Sequence, residues 1–144
     1  MKLDYETDRL QLLVCNEEYT DALLLFMTEN KDFFAPYEPL RQPSFYTREF
    51  QSMILSAEFK AMLKGTYFRY YLFLKNDPNR IIGTVSFSGL TAGEDKSCKV
   101  GYKLDKHHTG KGYATEALQT LLPELHNSLH IHRVEADILL ENRP

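Results

Sequence analysis

Two glycines, Gly110 and Gly112, stand directly before an amphipathic stretch, and this junction constrains the chain more than any other feature. Glycine permits a sharp turn and leaves room for a bulky anion to approach the main chain. The first N–H groups of a helix have no partners inside the helix, so they can bind a phosphate. Apolar residues recur after the glycines at intervals of three and four, which predicts a helix: Ala114, Ala117, Leu118, Leu121, Leu122 and Leu125. Residues 107–118 therefore predict an anion-binding turn between a strand and a helix.

The residues of this turn exclude two common phosphate-binding loops. A Walker-type loop requires Ser or Thr after its lysine, but Gly112 follows Lys111. A dinucleotide-binding fingerprint requires a third glycine, but Thr115 stands at that position. The alternative without a ligand is an ordinary helix start after a surface turn.

The chain is predicted to form a single domain, residues 1–144, in which strands and helices alternate. This length is sufficient for one hydrophobic core. Strands are predicted at residues 9–15, 67–75, 81–87, 97–104 and 134–140, and a turn at residues 76–79. Helices are predicted at residues 17–28, from a cap at Thr47 to about Leu63 with Gly65 after it, and beyond Gly112.

The hexapeptide TGKGYA, residues 109–114, resembles the pyrophosphate loop of the GNAT acyltransferases, written Q/R-x-x-G-x-G/A. Gly112 occupies the required glycine position and Ala114 the final small position, whereas Thr109 stands where the family prefers Gln or Arg. The order of elements and the strings TDRLQL, VGYKLD and LLEN resemble the RimJ/RimL-like branch, the ribosomal-protein N-terminal acetyltransferases. The resemblance implies the α/β (α+β) GNAT acyl-CoA N-acyltransferase fold, a mixed central sheet flanked by helices.

The resemblance also implies acetyl-CoA as the cosubstrate. Its pyrophosphate is expected on the main-chain amides of the turn, and its pantetheine arm along the preceding strand, like an added strand. The cofactor-binding residues expected on this basis are Tyr102, Lys103, Leu104, Thr109, Gly110, Lys111, Gly112, Tyr113, Ala114 and Asn142. Residues 96–111 carry five lysines and one aspartate, a local charge that favours a polyanion. No metal is expected, since His126 and His130 have the spacing of a helical ligand pair but no evident third ligand.

The reaction that the resemblance implies is transfer of the acetyl group from acetyl-CoA to a primary amine by direct attack. Many relatives carry Glu just before the Val-Gly-Tyr segment, whereas this chain carries Lys99. The catalytic carboxylate is predicted to be Asp137, which matches a position where some relatives place one. The alternative is that Asp137 and Glu135 simply point into solvent.

The acceptor is predicted to be a peptide N-terminal α-amine, because an α-amine is neutral near pH 7 more often than a lysine side chain. The loop that contains Tyr37, Glu38 and Arg41 is predicted to form the acceptor site, where Glu38 would attract a cationic N-terminus. Two alternatives stay open: a small-molecule amine acetyltransferase, and a non-catalytic acyl-CoA-binding or sensory domain.

Relatives of this type continue after the residue that matches Asn142 with a helix and two further strands, whereas this chain stops at Pro144. The fold is therefore expected to lack its last helix and strands, and an open strand edge favours a homodimer or a weakly stable monomer. The net charge of −3 argues against nucleic acid. The longest apolar run, residues 22–27, is too short to span a membrane. Cys15 and Cys98 lack metal or redox spacing and predict reduced thiols in the cytoplasm.

Overall fold

The computed structural model describes residues 1–90 and 96–136. These ranges contain one six-stranded mixed sheet with helices on both faces, which confirms the predicted α/β architecture. Asp137 and Asn142 lie outside the described residues, so the structure does not test the roles predicted for them. No helix within the described ranges is long and apolar enough to cross a membrane.

The described chain forms six strands and four α-helices, with three short 3-10 turns between them. The strands are β1 (Asp4–Glu6), β2 (Leu10–Leu13), β3 (Phe68–Leu74), β4 (Asp77–Ser88), β5 (Ser97–Leu104) and β6 (Arg133–Ala136). The helices are α1 (Thr20–Glu29), α2 (Lys31–Phe34), α3 (Arg48–Lys64) and α4 (Tyr113–Leu129). The 3-10 turns are Glu17–Tyr19, Ala35–Tyr37 and Pro43–Tyr46. Strand β1 was not predicted, because a three-residue strand is too short to show an alternating pattern.

The strands lie in the sheet in chain order, antiparallel from β1 to β5, with β6 parallel to β5. Strand β5 has its predicted bounds. The predicted turn at residues 76–79 is wrong, because residues 75–76 form the turn and β4 already begins at Asp77. The pairing of β3 with β4 is irregular between Leu72 and Leu74, and this bulge allows the earlier start of β4.

Two hydrophobic cores form because alternate residues of β3 point to opposite faces of the sheet. Tyr70 and Leu72 belong to the core beneath α4, whereas Tyr71 and Phe73 belong to the core beneath α1 and α3. The predicted apolar stripe of α4 is confirmed in part: Ala114, Ala117, Leu121 and Leu125 are buried in the first core, Leu118 is half-buried against it, and Leu122 is 37% exposed. The two faces therefore carry different helices, and the turn before α4 lies at the end of β5.

Helix α3 confirms its predicted ends. The Thr47 hydroxyl oxygen accepts a hydrogen bond from the Phe50 N–H at 3.2 Å, which satisfies one donor of the first turn. Gly65 ends the helix in the left-handed conformation, with φ of 74°. These caps fix the ends of α3, and Leu55 of α3 packs on the same sheet face as Phe34 and Phe45, which flank the predicted acceptor loop.

Candidate active site

The turn between β5 and α4 presents main-chain donors that have no hydrogen-bond partner among the described residues. Gly110 and Gly112 both have positive φ, and Gly112 caps α4. The first helical hydrogen bond runs from the Glu116 N–H to the Gly112 carbonyl at 3.0 Å. Within the described part of the chain, the N–H groups from Gly110 to Ala114 donate to no acceptor, and residues 109–112 are exposed. These donors are therefore available to a ligand, and their role in binding an anion stays a prediction.

The start of this turn is fixed by a buried carboxylate, Asp105, whose exposed fraction is 1%. Its Oδ2 accepts the His107 N–H at 3.0 Å and contacts His108 Nδ1 at 2.7 Å. Its Oδ1 accepts from Asn30 Nδ2 at 2.9 Å. Burial acts to raise the pKa of Asp105, but the hydrogen bonds from Asn30, His108 and His107 outweigh it and hold the pKa below its usual value.

Asn30, directly after α1, completes this anchor. Its side-chain oxygen accepts the Lys106 N–H at 2.9 Å, while its Nδ2 also donates to the Phe26 carbonyl at 2.9 Å. Asn30 is fully buried. No local sequence pattern predicted a role for Asn30 or Asp105; Asn is a residue type found at helix ends, and this is the signal that could have marked Asn30.

Arg9 holds the other side of the turn. Its Nη2 donates to the Lys111 carbonyl at 3.0 Å, and its guanidinium carbon lies 4.3 Å from the centre of the Tyr113 ring. Its Nε donates to Glu116 Oε1 at 2.6 Å, and Glu116 Oε2 accepts from the Arg9 N–H and the Thr7 hydroxyl. These hydrogen bonds overcome the opposing effect of burial and lower the pKa of Glu116. Glu116 therefore positions the turn, and the TDRLQL segment contributes Thr7 and Arg9, which both donate to Glu116.

The end of β5 carries the three residues predicted to lie along the pantetheine arm. Leu104 is buried, while Tyr102 and Lys103 are half-buried. The described residues of β5 and β6 pair in parallel from Ser97↔Arg133 to Val100↔Ala136. This described pairing ends before Tyr102, the first of the three residues. On the other side β4 approaches very closely, because a Cβ on Gly83 would lie 2.8 Å from the Lys103 carbonyl oxygen.

The predicted acceptor residues meet Lys103, although not as expected. Glu38 forms ion pairs with both the Lys103 ammonium and Arg41, the latter at 3.5 Å. The charge of Glu38 is thus already compensated by two cations, which removes the electrostatic reason to expect that it attracts a cationic N-terminus. Tyr37 ends the 3-10 turn before Glu38. Burial lowers the pKa of the Lys103 ammonium, although Glu38 opposes the shift.

The remaining candidate groups lie away from the turn or are exposed. Glu135 lies on the exposed strand β6 and pairs with Arg133 at 3.0 Å. The His126 ring contacts the His132 ring, with 5.1 Å between centres, while His130 ends α4. Among the described residues, no group of three His, Cys, Asp or Glu side chains is arranged to hold a metal ion.

Comparison with known proteins agrees with this geometry. A family model described as "Acetyltransferase (GNAT) domain" matches residues 9–144. The probable N-acetyltransferase YjcK of Bacillus subtilis (strain 168) is 34% identical over 127 residues, which are 87% of this chain and 70% of that protein. The ribosomal protein uS5-alanine N-acetyltransferase of Escherichia coli (strain K12) is 31% identical over 144 residues, 99% of this chain and 73% of that protein.

A solved structure extends the comparison to the fold. The crystal structure of the ribosomal-protein-S5-alanine acetyltransferase of Vibrio fischeri superimposes with a TM-score of 0.85 at 26% identity, covering 94% of this chain and 73% of that one. Sequence, fold and the open turn before α4 thus agree. The chain belongs to the GNAT family of acetyltransferases, which transfer an acetyl group from acetyl-CoA to an amine.

Proposed function

We propose that this acetyltransferase modifies the N-terminal α-amine of a peptide or protein, with acetyl-CoA as the donor. The observation that carries the proposal is the run of main-chain N–H groups from Gly110 to Ala114, which donate to no acceptor among residues 1–90 and 96–136. Asp105 and Arg9 hold this run from its two sides, so its donors are oriented before any ligand binds. Preorganised donors lose little entropy on binding an anion.

The residues of the turn fit a pyrophosphate. Contact of an anion with a helix start contributes about 0.3–1 kcal/mol, and up to ~2 kcal/mol where it is partly buried. Thr109 lacks the longer polar side chain that the family prefers, so the proposed binding relies on main-chain amides. Lys106 and Lys111 are exposed and would add positive charge at the rim. These side chains and amides form the proposed phosphate-binding part of the site.

The thioester end is proposed to lie against the main chain of Tyr102, Lys103 and Leu104. Main-chain groups at a strand end can pair with an extended ligand as with another strand. Acetyl-CoA supplies the activated acyl group, and the protein must present the amine in its neutral form beside it. Asp137 is proposed as the carboxylate that removes the amine proton, and Asn142 as a further contact to the cosubstrate.

The choice of an α-amine follows from its proton affinity. With a pKa of about 7.7–8.0, roughly a tenth of α-amines are neutral at pH 7, against about four in ten thousand lysine side chains at a pKa near 10.4. General-base catalysis contributes about 10²–10⁴ in rate, comparable to that difference or larger. The name of the E. coli relative, an alanine N-acetyltransferase of ribosomal protein uS5, supports the same choice.

We also propose that the protein acts in the cytoplasm as a homodimer. Cys15 and Cys98 are buried free thiols, which are typical of a reducing compartment. All four described residues of β6 are exposed, and an exposed strand can pair with a second copy. Neither nucleic acid nor a membrane is part of the proposal. Light scattering tests the dimer, and a monomer at every protein concentration would contradict it.

A matched peptide pair tests the acceptor. One peptide has a free N-terminus and a blocked lysine; the other has a blocked N-terminus and a free lysine. We expect release of the CoA thiol with the first peptide at a rate at least tenfold above that with the second. Preference for the lysine peptide, or activity only on small amines, would contradict the α-amine proposal. CoA binding without transfer to any amine would instead favour a non-catalytic acyl-CoA-binding domain.

A further inference from the structure

A cluster of charged side chains lies beside the predicted acceptor loop, on the sheet face that α1 and α3 cover. This charged basin consists of three cations and two carboxylates: Arg41, Arg69, Lys103, Glu38 and Glu58. Their side-chain exposure ranges from 11% at Glu58 to 35% at Arg41, so the basin is partly buried and still accessible to a ligand. One positive charge is in excess within it.

Arg69 has hydrogen-bond capacity that the described chain leaves unused. Glu58 Oε2 lies 3.0 Å from Arg69 Nη1, while Glu58 Oε1 accepts from the Tyr71 hydroxyl at 2.6 Å, so both carboxylate oxygens are engaged. The buried Nε of Arg69 has no hydrogen-bond acceptor in the described part of the chain. A guanidinium offers five N–H donors in a plane that suits a carboxylate. The excess charge, together with the 22% of the Arg69 side chain that stays exposed, favours an anionic oxygen from a ligand.

A row of small residues connects Arg69 to the proposed thioester site. Arg69 lies directly across from Ser86, and Ser86 directly across from Gly101 on β5. A Cβ on Gly101 would meet Ser86 Oγ at 3.4 Å and no other described atom within 4 Å, so the row itself is low; the Tyr67 ring lies beside Arg69, 5.7 Å from the guanidinium carbon. Two strand spacings separate Arg69 from β5, about 10 Å. Lys103 follows Gly101 by two residues and thus faces the same side of the sheet.

We propose that the charged basin selects N-terminal acceptors that carry Asp or Glu at their second or third residue, with Arg69 and Lys103 as specificity-determining residues. An extended peptide advances about 3.3 Å per residue, so a carboxylate at either position reaches Arg69 from an amine held beside β5. A lysine at the same position would meet the one excess positive charge of the basin and be disfavoured. The inference rests on the proposed function, because it assumes that the amine reacts beside β5.

Peptides that differ in one residue test this selection. Each peptide begins with alanine and has no free lysine side chain. In the first series position two is Glu, Gln or Lys, and in the second series position three is varied in the same way. The side-chain amine of each Lys peptide is dimethylated, so that it keeps its charge but is not an acceptor. The measured quantity is kcat/KM from release of the CoA thiol. In at least one series we expect the Glu peptide to exceed the Gln peptide about tenfold and the charged Lys peptide by more, as for a charge-assisted hydrogen bond.

Variants connect the preference to the basin. Arg69→Gln should reduce the Glu-to-Gln ratio towards one, and so should Lys103→Met; Arg41→Gln, at the exposed rim, should lower it less. Arg48→Gln is the matched control, since Arg48 pairs with Asp21 on the surface with 58% of its side chain exposed, and it should leave the ratio unchanged. Circular dichroism checks that each variant folds, and Arg41→Gln keeps the test valid if Arg69→Gln does not fold.

The outcomes separate this inference from the proposed function. Equal kcat/KM for the Glu, Gln and charged Lys peptides in both series would overturn the inference while leaving N-terminal acetyl transfer intact. Stronger activity on phosphoethanolamine than on any peptide would overturn the peptide assignment and identify a phosphate as the source of the anionic oxygen. Calorimetry measures the affinity of the same peptides for the protein in the presence of CoA, where no acetyl group is transferred. If no peptide is acetylated but the Glu peptide still binds most tightly, only the proposed function is contradicted.

Discussion

Arg9 Nε donates to Glu116 Oε1 at 2.6 Å, and this contact joins the start of β2 to the first turn of α4 across 107 positions of the chain. The same guanidinium donates to the Lys111 carbonyl, so one side chain fixes both the turn and the helix after it. The direction of the amides from Gly110 to Ala114 therefore depends on a residue at the other end of the domain.

Glu116→Gln tests this dependence. The substitution keeps the shape of the side chain but removes the charge that accepts from Arg9 and Thr7, so the turn should lose part of its preorganisation. We expect CoA to bind about fivefold to tenfold more weakly, equivalent to about 1 kcal/mol. Calorimetry measures the change, with Asp21→Asn, in an exposed ion pair, as the control. Equal CoA affinity in both variants would contradict the positioning role of Glu116.

Asp105→Asn should destabilise the fold in a pH-dependent manner. Hydrogen bonds to a charged group contribute about 1.5–3 kcal/mol, so we expect a loss of roughly this size at pH 7. The pKa of Asp105 is below 3.8 in the folded protein, so its contribution is complete above that value and disappears as the pH falls through the lower folded value. Urea unfolding at pH 7 and near pH 3 measures the difference between wild type and variant, which should shrink at the lower pH. A difference that grows there would contradict this account.

The parts of the site that were predictable from sequence depend on short-range patterns. The spacing of Ala114, Ala117, Leu121 and Leu125 defines α4, and the glycines before it define the turn. The alternation of Cys98 and Val100 with Lys99 and Gly101 located β5 with correct bounds. Each of these signals lies within about a dozen consecutive residues, where the spacing of apolar residues indicates a helix or a strand directly.

The supports of the site could not be predicted because their partners are distant in the chain. Asn30 meets Asp105 across 75 positions, and Glu38 meets Lys103 across 65. The aromatic residues of β3 predicted a strand but gave no indication of a role for Arg69, because its partner Glu58 lies in α3. No periodic pattern encodes such pairs. The sequence therefore predicted that all five lysines of residues 96–111 favour the anion site, whereas the Lys103 ammonium forms an ion pair with Glu38 of the acceptor loop.

Gly83→Ala should destabilise the protein through a clash between strands. A Cβ at this position would lie 2.6 Å from Leu104 Cδ2 and 2.8 Å from the Lys103 carbonyl oxygen, so β5 must shift. Overpacking of this kind typically costs about 1–3 kcal/mol. Gly101→Ala is the matched control, because its Cβ would meet only Ser86 Oγ at 3.4 Å. Thermal unfolding of the two variants measures the effect, and equal melting temperatures would show that β4 and β5 adapt without strain.

Gly112→Val should impair both folding and CoA binding, and a matched variant separates the two effects. Gly112 has φ of 81°, so a β-branched residue strains the backbone there by about 1–2 kcal/mol even though its Cβ would meet only Arg9 Nη2 at 3.6 Å. Gly65→Val introduces the same strain, since Gly65 has φ of 74° with nothing within 4 Å of its Cβ, but at the end of α3. Both variants should lose similar stability in urea, whereas only Gly112→Val should lose CoA affinity, by about tenfold or more, because its side chain covers the free amides. Equal CoA affinity in the two variants would show that the turn before α4 does not hold the pyrophosphate.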